Sequence, residues 1–89
     1  MNQDVMNENV HNNVHNNVHQ FKKVYKEIVN ELIEIRTLAK FSQQFMAEWL
    51  KIDRRKIIAF ENLKKVDLET MLTYADKLSV DINFKYEIN

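Results

Sequence analysis

The residues best equipped for chemistry in this chain are cations. Lys51, Arg54, Arg55, Lys56, Lys64 and Lys65 fall within residues 51–66, opposed there only by Asp53 and Glu61, so the block carries +4 in a chain whose 13 basic and 13 acidic residues cancel. Residues 1–20, 21–50 and 67–89 carry −2, +1 and −3. A basic block inside a neutral protein is a directional patch, suited to phosphates, acidic proteins or anionic lipid; the plain alternative is a solvated helix face. His11, His15 and His19 form the second cluster, at i, i+4 and i+8. On a helix that spacing puts three imidazoles on one face, within reach of a divalent metal. No Asp, Glu or Cys completes a ligand set nearby, and a V-H-N-N repeat from Val10 to His19 accounts for the spacing without any site. No metal and no cofactor are therefore expected. Catalysis is not expected either: there is no Ser/His/Asp arrangement, and histidines on a biased segment lack the positioning that reaction chemistry needs.

Composition narrows the field further. With no glycine, the chain contains no P-loop, no dinucleotide fingerprint and no nucleophile elbow. With no cysteine, it has no disulfide framework, thiolate chemistry or Cys-based zinc site. Its 89 residues make one domain, and a chain so short buries only about 60 to 65% of its unfolded surface, too little for a deep enzyme cleft. Apolar residues are 45% of the chain and charged residues 29%, and no apolar run approaches the roughly 20 residues that span a bilayer. The first twenty residues carry Asn and His where a secretory signal would be apolar. The expectation is a soluble, cytoplasmic protein with no membrane partner.

The elements that must position the cations can be read from periodicity. Seven of the eleven Asn lie within the first seventeen residues, so 1–20 reads as a low-complexity tail, disordered or weakly helical. From Val14 the apolar residues Val18, Phe21, Tyr25, Ile28, Leu32 and Ile35 follow alternating spacings of four and three, which predicts a first helix over about 20–39, with scope for an N-terminal extension. A small core needs only its last turns, leaving Phe21, Tyr25 and Ile28 to fold back on the body or meet a second chain. Ser42 is a good N-cap for a second helix over 43–50, Asp53 for a third over 54–62, and Asp67 for a fourth over 68–79. Beyond these the period changes to two: Ile82, Phe84, Tyr86 and Ile88 alternate with polar residues, the pattern of a half-buried strand. The domain plan is thus a tail over 1–20, a helical body over 21–79 and a terminal strand within 80–89.

Two short helices joined through about three residues, with cations opening the second, follow the helix-turn-helix plan. The stretch Ile35-Arg36, Phe41-Ser42-Gln43, Met46-Ala47-Glu48, Leu50, Ile52, Ile57, Phe60-Glu61-Asn62 and Leu68-Glu69-Thr70-Met71-Leu72 resembles the XRE family of phage-repressor-like DNA-binding domains over about residues 32–82. The resemblance implies a mainly α fold, a bundle of four to five helices. It also has departures: Lys51 and Leu63 stand where the family usually has Gly, and the loop before Leu68 is about a residue short and lacks the usual Pro.

Carried onto this chain, the resemblance implies that Gln43, beside Gln44 at the start of the second helix, meets a phosphate, and that Arg54 and Arg55 read base edges, where Arg suits guanine O6 and N7. Lys56 would contact phosphate, Ala59 could touch at most a thymine methyl, and Lys64 and Lys65 would add sequence-independent attraction. Arg36 and Glu61 match positions that form a partly buried ion pair in the family, the alternative being two separate surface charges. On the same template Phe45 and Trp49 lie on a usually polar face and should be covered by the N-terminal extension or a partner protein, if not simply exposed.

A strand with no second strand in its own chain is expected to pair with its copy, making a homodimer through Ile82, Phe84, Tyr86 and Ile88 that sets two recognition helices about 34 Å apart on double-stranded DNA. XRE-like antitoxins often carry such strands, so the resemblance extends loosely to them. The leading expectation is a sequence-specific transcriptional regulator, repressor-like and homodimeric on a palindromic operator, and in its narrower form an autoregulatory antitoxin. The alternative is a protein-interaction module that binds a toxin or another protein through Phe45, Trp49 and the N-terminal helix.

Overall fold

A computed structural model describes residues 2–83, with side chains from residue 17 onward. Its described residues form four helices and no strand: α1 (Asn2–Leu38), α2 (Gln43–Leu50), α3 (Arg54–Glu61) and α4 (Leu68–Lys77). Helix α1 begins well before the predicted start and takes in the Asn/His repeat.

Local chemistry accounts for the helix starts. Ser42 holds an extended backbone (φ −78°, ψ 164°) and its hydroxyl accepts from Phe45 N–H at 2.9 Å. Asp53 accepts from Arg55 N–H at 2.8 Å, while Asp67 takes the Thr70 amide at 3.1 Å and the Thr70 hydroxyl at 2.7 Å. Each cap satisfies a donor that the first turn would otherwise leave orphaned.

The helix ends reveal how a chain without glycine closes them. Lys40, Lys51, Leu63 and Ser79 all adopt positive φ, between 58° and 63°. After each, the next amide reaches back across the helix end: Phe41 to Arg36 O, Ile52 to Ala47 O, Lys64 to Ala59 O and Val80 to Ala75 O, at 2.9 to 3.1 Å. The positive-φ residues themselves donate to Thr37, Glu48, Phe60 and Asp76 carbonyls. All four helices therefore end in Schellman motifs with a side chain where glycine is usual, each at a backbone cost of roughly 1 kcal/mol. Two of these residues, Lys51 and Leu63, occupy the positions where the family resemblance leads one to expect glycine. The left-handed geometry is kept without the residue that makes it easy.

The core draws Tyr25, Val29 and Leu32 from α1, Met46, Ala47 and Leu50 from α2, Ile57 and Phe60 from α3, and Met71, Tyr74 and Ala75 from α4. The stripe on α1 is covered by its own body: Tyr25 is buried, and Phe21 and Ile28 pack half-buried beside it. The loop leading into α4 reaches Tyr25, and the segment after α4 lies beside Ile28. The Tyr25 hydroxyl accepts the Asp67 amide at 2.9 Å, joining α1 to the start of α4.

Arg36 and Glu61 form the anticipated ion pair. The guanidinium donates to both carboxylate oxygens, Nε to Oε2 and Nη2 to Oε1, each at 2.8 Å, and Nη1 bonds the Phe41 carbonyl at 2.7 Å. Tyr74 and Gln43 complete the set, the hydroxyl donating to Oε2 at 2.6 Å and the amide to Oε1 at 3.0 Å. The carboxylate thus ties all four helices together. Burial and the neighbouring Glu61 charge push the Tyr74 hydroxyl well above the ordinary tyrosine range. Burial alone would lower the Arg36 pKa, but the bonds and charge of Glu61 outweigh it and raise the value.

The C-terminal strand is not present among the described residues. Residues 80–83 have no regular structure, and Phe84, Tyr86 and Ile88 lie outside the described residues. Of the four residues expected at the dimer interface, only Ile82 is among the described residues. It packs half-buried against the core of its own chain, because the Schellman turn at Ser79 sends the backbone back across α1, beside Ile28 and Leu32.

Candidate nucleic-acid interface

Helix α3 divides its residues by face. Ile57, Phe60 and Glu61 turn inward and are buried, whereas Arg54, Arg55 and Lys56 on the first turn are exposed. Periodicity places Arg55 opposite the buried face and Lys56 on its flank, whereas Arg54, three positions before Ile57, is exposed because it opens the helix with no turn ahead of it. Three residues separate α2 from α3, and the left-handed Lys51 makes so short a link possible.

The two arginines differ. Arg54 makes no hydrogen bond or ion pair among the described residues, while Arg55 is held by Asp53 through Nε to Oδ1 and Nη2 to Oδ2, both 3.2 Å. Hydrogen bonds from the Arg55 side chain and amide hold the Asp53 carboxyl below its ordinary pKa, and Asp53 in turn raises that of Arg55. Sequence reasoning assigned Asp53 only its capping role; the Asp-Arg-Arg order at the helix start was the available signal.

Beyond α3, Lys64 and Lys65 stand exposed in the loop to α4. An open groove of about 620 Å³ runs between that loop and α3, with Arg55, Lys56 and Lys65 on its walls and Ala59, Val66 and Leu68 as apolar lining. Asp67 also borders it. Burial would raise the Asp67 pKa, but the Thr70 hydroxyl and amide, helped by the Lys56 and Lys65 charges, bring it below the ordinary carboxylate range. Ala59 is half-buried, so its methyl has little reach.

The glutamines of α2 are committed within the chain. Gln43 is half-buried and gives an amide N–H to Glu61, and Gln44 bonds Glu48 at 2.8 Å. Gln43 still has one amide N–H for a phosphate, but its side chain is anchored to the ion pair.

Phe45 and Trp49 join Phe41 in an aromatic cluster, with centroids 4.6 Å (Phe41 to Phe45), 5.6 Å (Phe41 to Trp49) and 5.4 Å (Phe45 to Trp49) apart. Lys77 Nζ sits 5.3 Å from the Trp49 ring centroid, a cation–π contact. Cover for Trp49 therefore comes from Phe41 and α4, sources that sequence reasoning did not consider, while Phe45 remains 41% exposed. Of the three histidines only the His19 side chain is described, and it is exposed. No helix among the described residues is long and apolar enough to cross a membrane.

No protein-family model matches the chain, and no curated protein or solved structure matches it either.

Proposed function

We propose that this protein is a sequence-specific DNA-binding transcriptional regulator that lays α3 in the major groove. One observation carries the reading: Arg54, Arg55 and Lys56 stand exposed on the first turn of a short helix that follows another across a three-residue turn. Such a helix presents forked donors to base edges while Lys56, Lys64 and Lys65 line up with the backbone phosphates. The fold supports the reading by rigidity. Glu61 at the end of α3 is bonded to residues of α1, α2 and α4, so the cations project from a fixed platform.

A homodimer on a palindromic site belongs to the proposal, with autoregulation as an antitoxin its narrower form. Ile82, Phe84, Tyr86 and Ile88 are the residues proposed to pair the two copies, with Ile82 also packing half-buried against its own core. Ending the chain after Asn83 keeps Val80 and Ile82 in place, and in a sizing experiment it should convert dimer to monomer.

The test of DNA binding is selection from a randomised duplex pool, followed by titration of the selected duplex against salt. If Arg54, Lys56, Lys64 and Lys65 engage phosphates while Arg55 meets a base, log K falls against log salt with a slope of about −3.6 per subunit. The double variant Arg54→Ala, Arg55→Ala should abolish selection. Failure to select any sequence at low salt would sink the reading.

The exposed Phe45 favours a second reading, a protein-interaction module that binds a toxin or other partner beside the Phe41–Phe45–Trp49 cluster. Binding that ignores salt and is lost in Phe45→Ala supports it.

A further inference from the structure

We propose that Asp53 is a positioning residue for base reading, one that holds the Arg55 guanidinium end-on toward a single guanine while Arg54 serves the phosphates. This rests on the DNA-binding reading above. The guanidinium has five N–H donors in a rigid fork. Asp53 occupies one side of it, taking Nε–H and one Nη2–H at 3.2 Å each. The remaining N–H pair at the far edge, one on Nη1 and one on Nη2, lies parallel and points away from the carboxylate. That pair matches the two acceptors O6 and N7 of guanine in the major groove.

The pairing has little to do with folding. Its side chains are 92% and 56% exposed, and an ion pair in that much water contributes almost nothing to stability. Its value appears at a surface from which water has been displaced, where the carboxylate prevents the arginine from swinging to the nearest phosphate. Arg54 has no such partner among the described residues, so its long side chain can follow whichever phosphate is near. A carboxylate at this place also repels the DNA backbone, which weakens binding to every sequence and leaves discrimination to the base contact.

Asp53 also caps α3 through Arg55 N–H at 2.8 Å, and the two roles separate cleanly. Asn and Ser cap helices about as well as Asp, but neither carries the charge that holds a guanidinium. Asp53→Asn and Asp53→Ser should therefore melt like wild type by circular dichroism, and should bind a random-sequence duplex more tightly because a negative charge is gone.

The experiment uses the full chain and a duplex selected from a randomised pool. Each base pair of the selected duplex is then substituted in turn. Wild type should prefer guanine at one position by about 5- to 150-fold, the span of a good bidentate contact. Arg55→Ala should remove that preference, and Asp53→Asn and Asp53→Ser should reduce it to below about threefold while leaving the other positions as they were. The readout is a ratio of affinities, so the fraction of folded protein cancels. If wild type selects no sequence, the DNA-binding reading falls and this proposal with it. If a guanine preference is lost in Arg55→Ala but kept in both Asp53 variants, DNA binding stands and the positioning role is overturned. A guanine preference that survives Arg55→Ala overturns it equally.

Discussion

Replacing Glu61 by Gln changes one oxygen to NH2, yet the structure makes it a severe substitution. Oε1 accepts from Arg36 Nη2 and Gln43, and Oε2 accepts from Arg36 Nε and Tyr74. Whichever oxygen becomes NH2 must face a guanidinium N–H, donor against donor, because Arg36 occupies both. The glutamine also leaves the Arg36 charge, with its side chain only 14% exposed, without a counter-ion. Breaking a buried pair on one side costs about 3 to 5 kcal/mol, whereas a domain of this size has about 5 to 13 kcal/mol in total. At about 4 to 8 °C per kcal/mol, the melting temperature of Glu61→Gln should fall by at least about 12 °C. Arg36→Met should cost a similar amount. The double variant Arg36→Met, Glu61→Leu should recover much of the loss, since an apolar pair of similar volume leaves no charge stranded. Urea unfolding of wild type, Arg36→Met, Glu61→Leu and the double variant measures the coupling. A cost below about 1 kcal/mol for Glu61→Gln would mean that the pair behaves as a solvated surface contact, and the reasoning would be wrong.

The left-handed helix ends predict that Lys40→Gly or Ser79→Gly stabilises the protein by about 0.5 to 1 kcal/mol, relief of backbone strain outweighing the greater freedom of an unfolded glycine; thermal melts decide. The Asp67 pKa is depressed in the fold, so its stabilisation is present above the ordinary value of about 3.9 and is lost as pH falls through the folded value. Asp67→Asn should keep the cap but flatten stability against pH on the acid side, as read by urea midpoints across that range. Tyr74 and Tyr25 are shifted the other way; their contribution is whole below about pH 10 and declines as pH rises toward the folded values. Tyr74→Phe should weaken that alkaline decline, seen by following tyrosinate absorbance alongside unfolding. Phe45→Ala should cost less than Phe41→Ala, since both rings touch the other two of the cluster but Phe45 is exposed whereas Phe41 is half-buried against the core.

Much of the body was legible without coordinates because its determinants are local. Ser42, Asp53 and Asp67 mark the starts of α2, α3 and α4 to the residue, since a cap acts on amides two or three positions away. The outward turn of Arg55 and Lys56 agrees with the phase of Ile57 and Phe60 on the same helix, whereas Arg54 owes its exposure to its place at the helix start. The Arg36–Glu61 pair was reached only through family resemblance, because no local rule connects residues 25 positions apart.

Tertiary structure alone decided what closes on what. Nothing near Tyr74 in sequence says that its hydroxyl joins Glu61, and Gln43 could not be assigned to the same carboxylate before α2 and α3 were docked. The cover for Phe21, Tyr25 and Ile28, the place of Lys77 over Trp49, and the inward turn of Ile82 were likewise open. Periodicity reports that a side chain needs burial but not which surface supplies it. Ile82, which periodicity read as the start of a strand, follows the αL turn at Ser79 and packs half-buried against the core of its own chain. Capping and helical phase act over one turn, while burial and ion pairing depend on separations in space that only the packed chain sets.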